Sequence, residues 1–238
     1  MINPRILHIE TATNICSVAL SEGDKLISIR ESDEDKSHGS LLSVFMNEVL
    51  SEAGLKPKDL HSISVSKGPG SYTGLRIGVS AVKGFAYALK LPIIGIDTLL
   101  AMAIGAKSTT KVKAMSKKYP NLLLCPLIDA RRMEVFSGFY TLSNEKFRKI
   151  NADIIDESSY AQILDSQPVV FFGNGSAKVK ETIKHPNAFF LEALVPSAKN
   201  MIPLSLELYQ KKEFEDSAYF EPYYLKDFVA TIPKKKIL

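Results

Sequence analysis

The sequence predicts an α/β protein of two lobes with mixed sheets, and three observations carry that prediction. Residues 62–90 read as strand, glycine-bearing loop and helix in succession. Three short strand-like segments, at 5–11, 15–21 and 25–31, stand ahead of that unit. After a lysine-rich stretch at 107–118 the pattern restarts in a shortened, diverged form, with no internal sequence repeat to mark it as a copy.

Each element has a local reason. Ser17, Val18, Ala19 and Leu20 alternate as a strand should, and Gly23 with Asp24 marks the turn that follows. Ser37 is placed to cap a helix over about 38–53. Its Leu41, Leu42, Phe45, Met46, Val49, Leu50 and Ala53 form a broad apolar stripe, which Gly54 ends. A strand at 62–66, a helix at 73–90 and a buried strand at 91–96 follow, and a further helix comes after Asp97 and Thr98. The lysine-rich stretch reads as a boundary or exposed loop, which divides a first lobe at 1–106 from a second at 107–238. Beyond it, 122–128 and 133–140 are strong strands and 147–150 a third. Residues 158–164 read as helix, 169–172 as strand, and 173–176 as a turn opening another helix. Ser197 is placed to cap a late helix through Lys212, with Pro203 as a point of kinking.

At 238 residues the chain has room for one large domain or two small ones, and 45% apolar with 24% charged residues is ordinary for a soluble globular protein. The opening residues have no basic segment followed by an apolar core, so no signal peptide is expected, and no apolar run approaches the roughly 20 residues of a membrane span. Cys16 and Cys125 sit in apolar strand-like runs and read as two buried free thiols of a reducing, cytoplasmic compartment. No Cys/His set has zinc spacing. A net charge of +4 is too small to identify a nucleic-acid binder. Lys107, Lys111, Lys113, Lys117 and Lys118 read as a solvated linker, and Lys234, Lys235 and Lys236 as a solvated end.

The most informative stretch is Lys-Gly-Pro-Gly-Ser-Tyr-Thr-Gly-Leu-Arg-Ile-Gly at 67–78. The start of the helix there offers free N–H groups that could hold an anion, or the glycines simply serve a tight strand-to-helix turn. The spacing is not that of a P-loop, because no Gly-Lys-Ser/Thr closes it. Gly74, Gly78, Ala81, Gly84 and Ala88 share one helix face. Three glycines inside a helix cost about 1 kcal/mol each relative to alanine. A bare face offsets that cost if another backbone comes close, either the underlying sheet or a partner helix.

The 67–78 block resembles the corresponding block of the bacterial TsaB proteins. Four further segments resemble that family, in its order: Ile9 to Thr13, the helix start holding His38, residues 128–136, and Gly173, Asn174, Gly175 and Ser176. The resemblance implies the two-lobed sugar-kinase/Hsp70/actin-like (ASKHA) fold. It implies a subunit of the machinery that makes threonylcarbamoyladenosine beside the tRNA anticodon. Its partners would be the catalytic relative TsaD, in a direct heterodimer, and the ATPase TsaE through the complex, with a homodimer an option for the chain alone. tRNA would be touched at most indirectly, although the lysine clusters could support its phosphates.

By the same resemblance, Glu10 and Thr11 would be remnants of a first nucleotide loop, and Asp129, Arg131, Gly173 and Gly175 remnants of a second region. Glu10 is either an acidic group of that loop or a strand-end carboxylate meeting a buried hydroxyl. Arg131 and Arg132 fill a place where catalytic relatives have small residues, and they would pair with Asp129 and Glu134 or with a partner's carboxylates. TsaD-like proteins carry two histidines four apart after the strand that 93–96 resembles, and here Thr98 and Met102 stand at those positions. No His-Glu-x-x-His and no Gly-x-Ser-x-Gly supports a peptidase, and Ser71 and Thr73 have no histidine near them in sequence.

The expected function is therefore a non-catalytic scaffold that docks on TsaD, with no catalytic residue, no metal and no required cofactor. ATP or ADP would lie at most in or near the shared interface. The docking face would comprise His38, Leu41, Leu42, Phe45 and Val49 with Tyr72, Thr73, Leu75, Arg76 and Gly78. The alternatives are an ATP-binding phosphoryl or carbamoyl transferase in its own right, and a self-associating scaffold.

Overall fold

The computed structural model describes residues 3–34, 38–192 and 194–226. The expected cap Ser37 and the tail lysines Lys234, Lys235 and Lys236 lie outside the described residues.

Two five-stranded sheets organise the chain. In the first, β1 (Arg5–Glu10), β2 (Cys16–Glu22) and β3 (Lys25–Ser32) form an antiparallel meander. β4 (Ser62–Gly68) then lies parallel to β1, and β5 (Ile93–Asp97) parallel to β4, giving the order β3-β2-β1-β4-β5. In the second, β6 (Leu123–Asp129), β7 (Glu134–Tyr140) and β8 (Lys146–Ile154) repeat the meander. β9 (Val169–Phe172) runs parallel to β6, and β10 (Ala188–Phe190) parallel to β9. Read outward from β8, this order is that of the first sheet. The fold is α/β with mixed sheets, as expected. Its duplication is visible in the topology, where the sequence shows none. β10 escapes sequence reading because three residues cannot establish a period.

α1 (His38–Glu52) and α2 (Tyr72–Leu89) cover one face of the first sheet. Leu42, Met46, Val49 and Leu50 of α1, with Val79, Val82 and Ala86 of α2, close over Leu7, Ile9 and Val65. Each such large side chain contributes about 1.5–3 kcal/mol by leaving water. Ser71 caps α2 by accepting the Gly74 amide at 3.2 Å, and Lys90 ends it in the left-handed conformation.

α3 (Thr98–Ser108) is capped by Asp97, which accepts the Leu100 amide at 3.2 Å. The lysine-rich stretch expected as a loop is instead the end of α3 followed by α4 (Thr110–Lys118). Thr109 caps α4, and Val112 buries itself in the core of the second lobe. One apolar anchor and one cap suffice for a short helix, and the polar composition concealed both.

α5 (Ala161–Ser166) and α6 (Ser176–Thr182) supply Leu164 and Val179 to the outer core of the second sheet. α7 (Ile202–Lys211) follows a single 3-10 turn at 198–201. Ser197 does not cap it, since its hydroxyl donates to Glu31 at 2.6 Å. Pro203 sits in the first turn of α7, where its missing N–H is not needed, so no kink results.

The two sheets lie on either side of the expected division at residue 107, but the packing crosses it. α3 gives Leu99, Met102, Ala103 and Ala106 to the second lobe's core. The late chain returns to the first lobe, where Ala198 and Met201 pack with Ile6, Ile94 and Ile96, and Phe220 joins the core under α1 and α2. Composition shifts marked the sheets, whereas these contacts depend on residues far apart in sequence.

Candidate functional site

The loop from Glu10 to Thr13 meets the glycine loop at close quarters. Ser71 donates its amide to the Ala12 carbonyl at 2.6 Å. Added Cβ atoms at Gly70 and Gly74 would stand less than 3.0 Å from the carbonyl oxygens of Ala12 and Thr11. The chain's own carbonyl oxygens therefore crowd the start of α2, where an anion was one expectation. The glycines serve the tight turn. Ser71, the hydroxyl nearest to a nucleophile motif, is engaged as the helix cap.

Glu10 is buried at the end of β1, and its Oε1 accepts the Ala12 amide at 2.6 Å and the Ser66 hydroxyl at 2.9 Å. Burial pushes its carboxyl up to about 7, against the opposing pull of these hydrogen bonds. Glu10 thus takes the place of a strand-end carboxylate held by a buried hydroxyl. Thr11 is buried beneath Gly78.

In the second lobe, the β6–β7 loop is filled from within. Lys178 of α6 places its ammonium 2.8 Å from Asp129 Oδ1, the Arg132 carbonyl and the Glu134 carbonyl. Asn174 accepts the Asp129 amide at 2.9 Å. Gly173 has φ +104, and an added Cβ there would overlap the Leu127 carbonyl and crowd Met102. Arg131 and Arg132 are exposed, both with positive φ, and they pair with neither carboxylate as expected. Lys178 takes Asp129, and Lys226 takes Glu134. Sequence reading could not have found Lys178, which lies more than 40 residues from the loop it fills.

Thr98 and Met102, at the positions the resemblance aligns with two histidines, are both buried. Residues 223–226, which carry no motif, run from the glycine loop to the β6–β7 loop. Tyr223 donates its amide to the Lys67 carbonyl at 2.6 Å, and Tyr224 lies 4.7 Å from Tyr72, ring centre to ring centre.

The expected docking residues divide into two groups. Leu42, Val49, Leu75 and Gly78 are buried inside the chain, so they support the two helices from below and do not face a partner. His38 is also buried. Leu41, Phe45 and Tyr72 are partly exposed, and Thr73 and Arg76 fully so. Leu41 and Phe45 lie on the side of α1 that also carries Glu48 and Glu52, which pair with Arg30 of β3. The open apolar feature is elsewhere, in a groove of about 440 Å³ between α1 and α2. Met46 and Leu50 line it from α1, and Ala81, Gly84 and Phe85 from α2. Val44 and Tyr87 stand exposed on the same two helices, at 46% and 85%. Ala81 and Gly84 were visible in the sequence as members of the bare face. Val44 and Tyr87 carried no signal, because single apolar residues off a stripe are common on surfaces.

Comparison with known proteins places these observations. The family described as "TsaD: tRNA N6-adenosine threonylcarbamoyltransferase" matches residues 31–234. The tRNA threonylcarbamoyladenosine biosynthesis protein TsaB of Escherichia coli strain K12 is 29% identical, over 95% of this chain and 96% of its own length. The protein of that name from Buchnera aphidicola subsp. Schizaphis graminum is 30% identical, over 83% of this chain and 91% of its own length. Among solved structures, YeaZ from Pseudomonas aeruginosa superposes with a TM-score of 0.77 at 24% identity, covering 93% of this chain and 100% of that one.

Proposed function

The chain belongs to the family of tRNA N6-adenosine threonylcarbamoyltransferases, among its TsaB members, and acts in tRNA threonylcarbamoyladenosine biosynthesis; from that premise we propose that it is a non-catalytic subunit that binds TsaD and holds it in a working shape. The observation that carries this reading is the contrast between loops filled by the chain's own groups and an open groove between two helices. In this reading Lys178, Met102 and the carbonyls of Thr11 and Ala12 fill the positions that the family resemblance assigns to nucleotide and metal. The α1–α2 groove, by contrast, leaves apolar surface uncovered.

In this reading the partner helix seats against the partly exposed Ala81 and Phe85, above the buried Met46 and Leu50 that floor the groove, and the bare Gly84 permits close approach. Leu41, Phe45, Tyr72, Thr73 and Arg76 form the rim. TsaE joins through TsaD, and ATP or ADP is not required by this chain. The complex works in the cytoplasm, and among the described residues no helix is long and apolar enough to cross a membrane.

The test uses purified chain, TsaD and their mixture, supplied with threonylcarbamoyl-AMP and tRNA. The mixture should form a heterodimer by mass and yield modified nucleoside, while the chain alone yields none. Turnover by the chain alone would establish an enzyme in its own right. A stable homodimer that excludes TsaD would establish the self-associating scaffold.

A further inference from the structure

Residues 98–128 contain five lysines and no Asp or Glu. Folding turns the centre of this stretch into a helix with a fixed orientation. Val112 is buried, and Met115 and Tyr119 pack on the second lobe's core, with Tyr119 5.6 Å from Phe189, ring centre to ring centre. The remaining face of α4 carries the exposed Lys111, Lys113, Lys117 and Lys118, with Thr110, Ala114 and the half-buried Ser116 among them. Among the described residues none of these four ammonium groups is in an ion pair. Lys111 reaches the Phe190 carbonyl at 3.0 Å, which pins it to the lobe and leaves its charge unneutralised.

This arrangement opposes the helix's own stability. Lys113 and Lys117 are four apart, so like charges face each other across one turn, about 6 Å along the axis. A polyanion would relieve that repulsion, and one turn is close to the step between successive phosphates of a nucleic-acid strand. A net charge of +4 spread over the chain concealed a face where all the charge has one sign.

We propose that the lysine face of α4 binds the sugar–phosphate backbone of the tRNA, as a positioning contact without base readout. This rests on the functional reading above for the identity of the polyanion, and it replaces the indirect contact that the family resemblance implies.

The experiment titrates tRNA against the complex with TsaD between 50 and 200 mM salt. It compares wild type with a variant carrying Lys111→Gln, Lys113→Gln, Lys117→Gln and Lys118→Gln, and with the corresponding four-arginine variant. The glutamine variant should bind roughly tenfold or more weakly at low salt. Its slope of log affinity against log salt should be shallower by about 2–3, as expected when three or four phosphate contacts are lost. The arginine variant should match wild type, and complex mass and melting should be unchanged in both. Unchanged affinity and slope in the glutamine variant would overturn the proposal, as would equal loss in both variants. A glutamine variant that loses binding to anionic lipid vesicles but keeps tRNA would also overturn it, in favour of a membrane surface. If wild type forms no complex with TsaD, the partner reading fails by itself. The same titration on the chain alone then still decides the lysine face.

Discussion

The hydroxyl of Thr11, on the loop after β1, lies against the bare α-carbon of Gly78 on α2, where an added Cβ would stand less than 3.0 Å from it. The bare helix face is thus used twice. Its first part, at Gly74 and Gly78, receives the chain's own loop, whereas Gly84 has nothing within 4 Å. Sequence alone had favoured a partner for Gly78.

Gly78→Leu should therefore destabilise the free chain by about 1–3 kcal/mol through overpacking, despite a better helix propensity. Thermal melting checks it. A variant that melts normally but no longer binds TsaD would return Gly78 to the interface.

Gly84→Arg should do the opposite. The added side chain meets open space, and helix propensity improves by somewhat less than about 1 kcal/mol, so melting should hold or rise. Affinity for TsaD should fall at least tenfold, because the arginine fills the groove between α1 and α2. Isothermal titration with TsaD measures this, and full affinity would show that the groove is not the docking site.

Two buried groups of β1 should oppose each other as pH changes. His8 lies between the hydroxyls of Ser64 at 2.7 Å and Ser21 at 2.8 Å, and burial pushes its imidazole down to about 3. The unfolded chain takes up a proton below about 6.5 that the native chain refuses, so this group makes stability rise with pH from about 3 to 6.5. Glu10, held up to about 7, keeps in the native state a proton that the unfolded chain releases near 4.5, so it makes stability fall from about 4.5 to 7. The two slopes cancel between about 4.5 and 6.5. Glu10→Gln should expose the histidine slope, up to about 1.4 kcal/mol per pH unit in that window. Urea unfolding at three pH values within it should give a flat profile for wild type and a rising one for the variant. A flat variant profile would refute the pairing.

Lys178→Met removes a donor to two carbonyls and a carboxylate, and should cost about 1–2 kcal/mol. Amide exchange should speed up at Ala130 and Glu134, whose hydrogen bonds close the loop, and stay unchanged in the first sheet. Equal acceleration in both lobes would mean that Lys178 holds more than its loop.

The sequence by itself made the elements of the first lobe and their order legible. β1 to β5, α1 and α2 fall within one or two residues of their expected ends, because alternation, helical stripes and the glycine loop are all local signals. It also determined the family, since the 67–78 block needs only residue identity. Tertiary structure alone decided which surfaces stay free. The stripe on α1 announced that a face is buried, but not that Met46 and Leu50 of that face would also floor a groove beside α2. The same limit hid α4, whose anchor Val112 gains its meaning from the second sheet, and Lys178, whose three acceptors lie across the lobe. Periodicity reports how much apolar surface an element carries, and the partner that covers it is chosen by contacts between residues far apart in sequence.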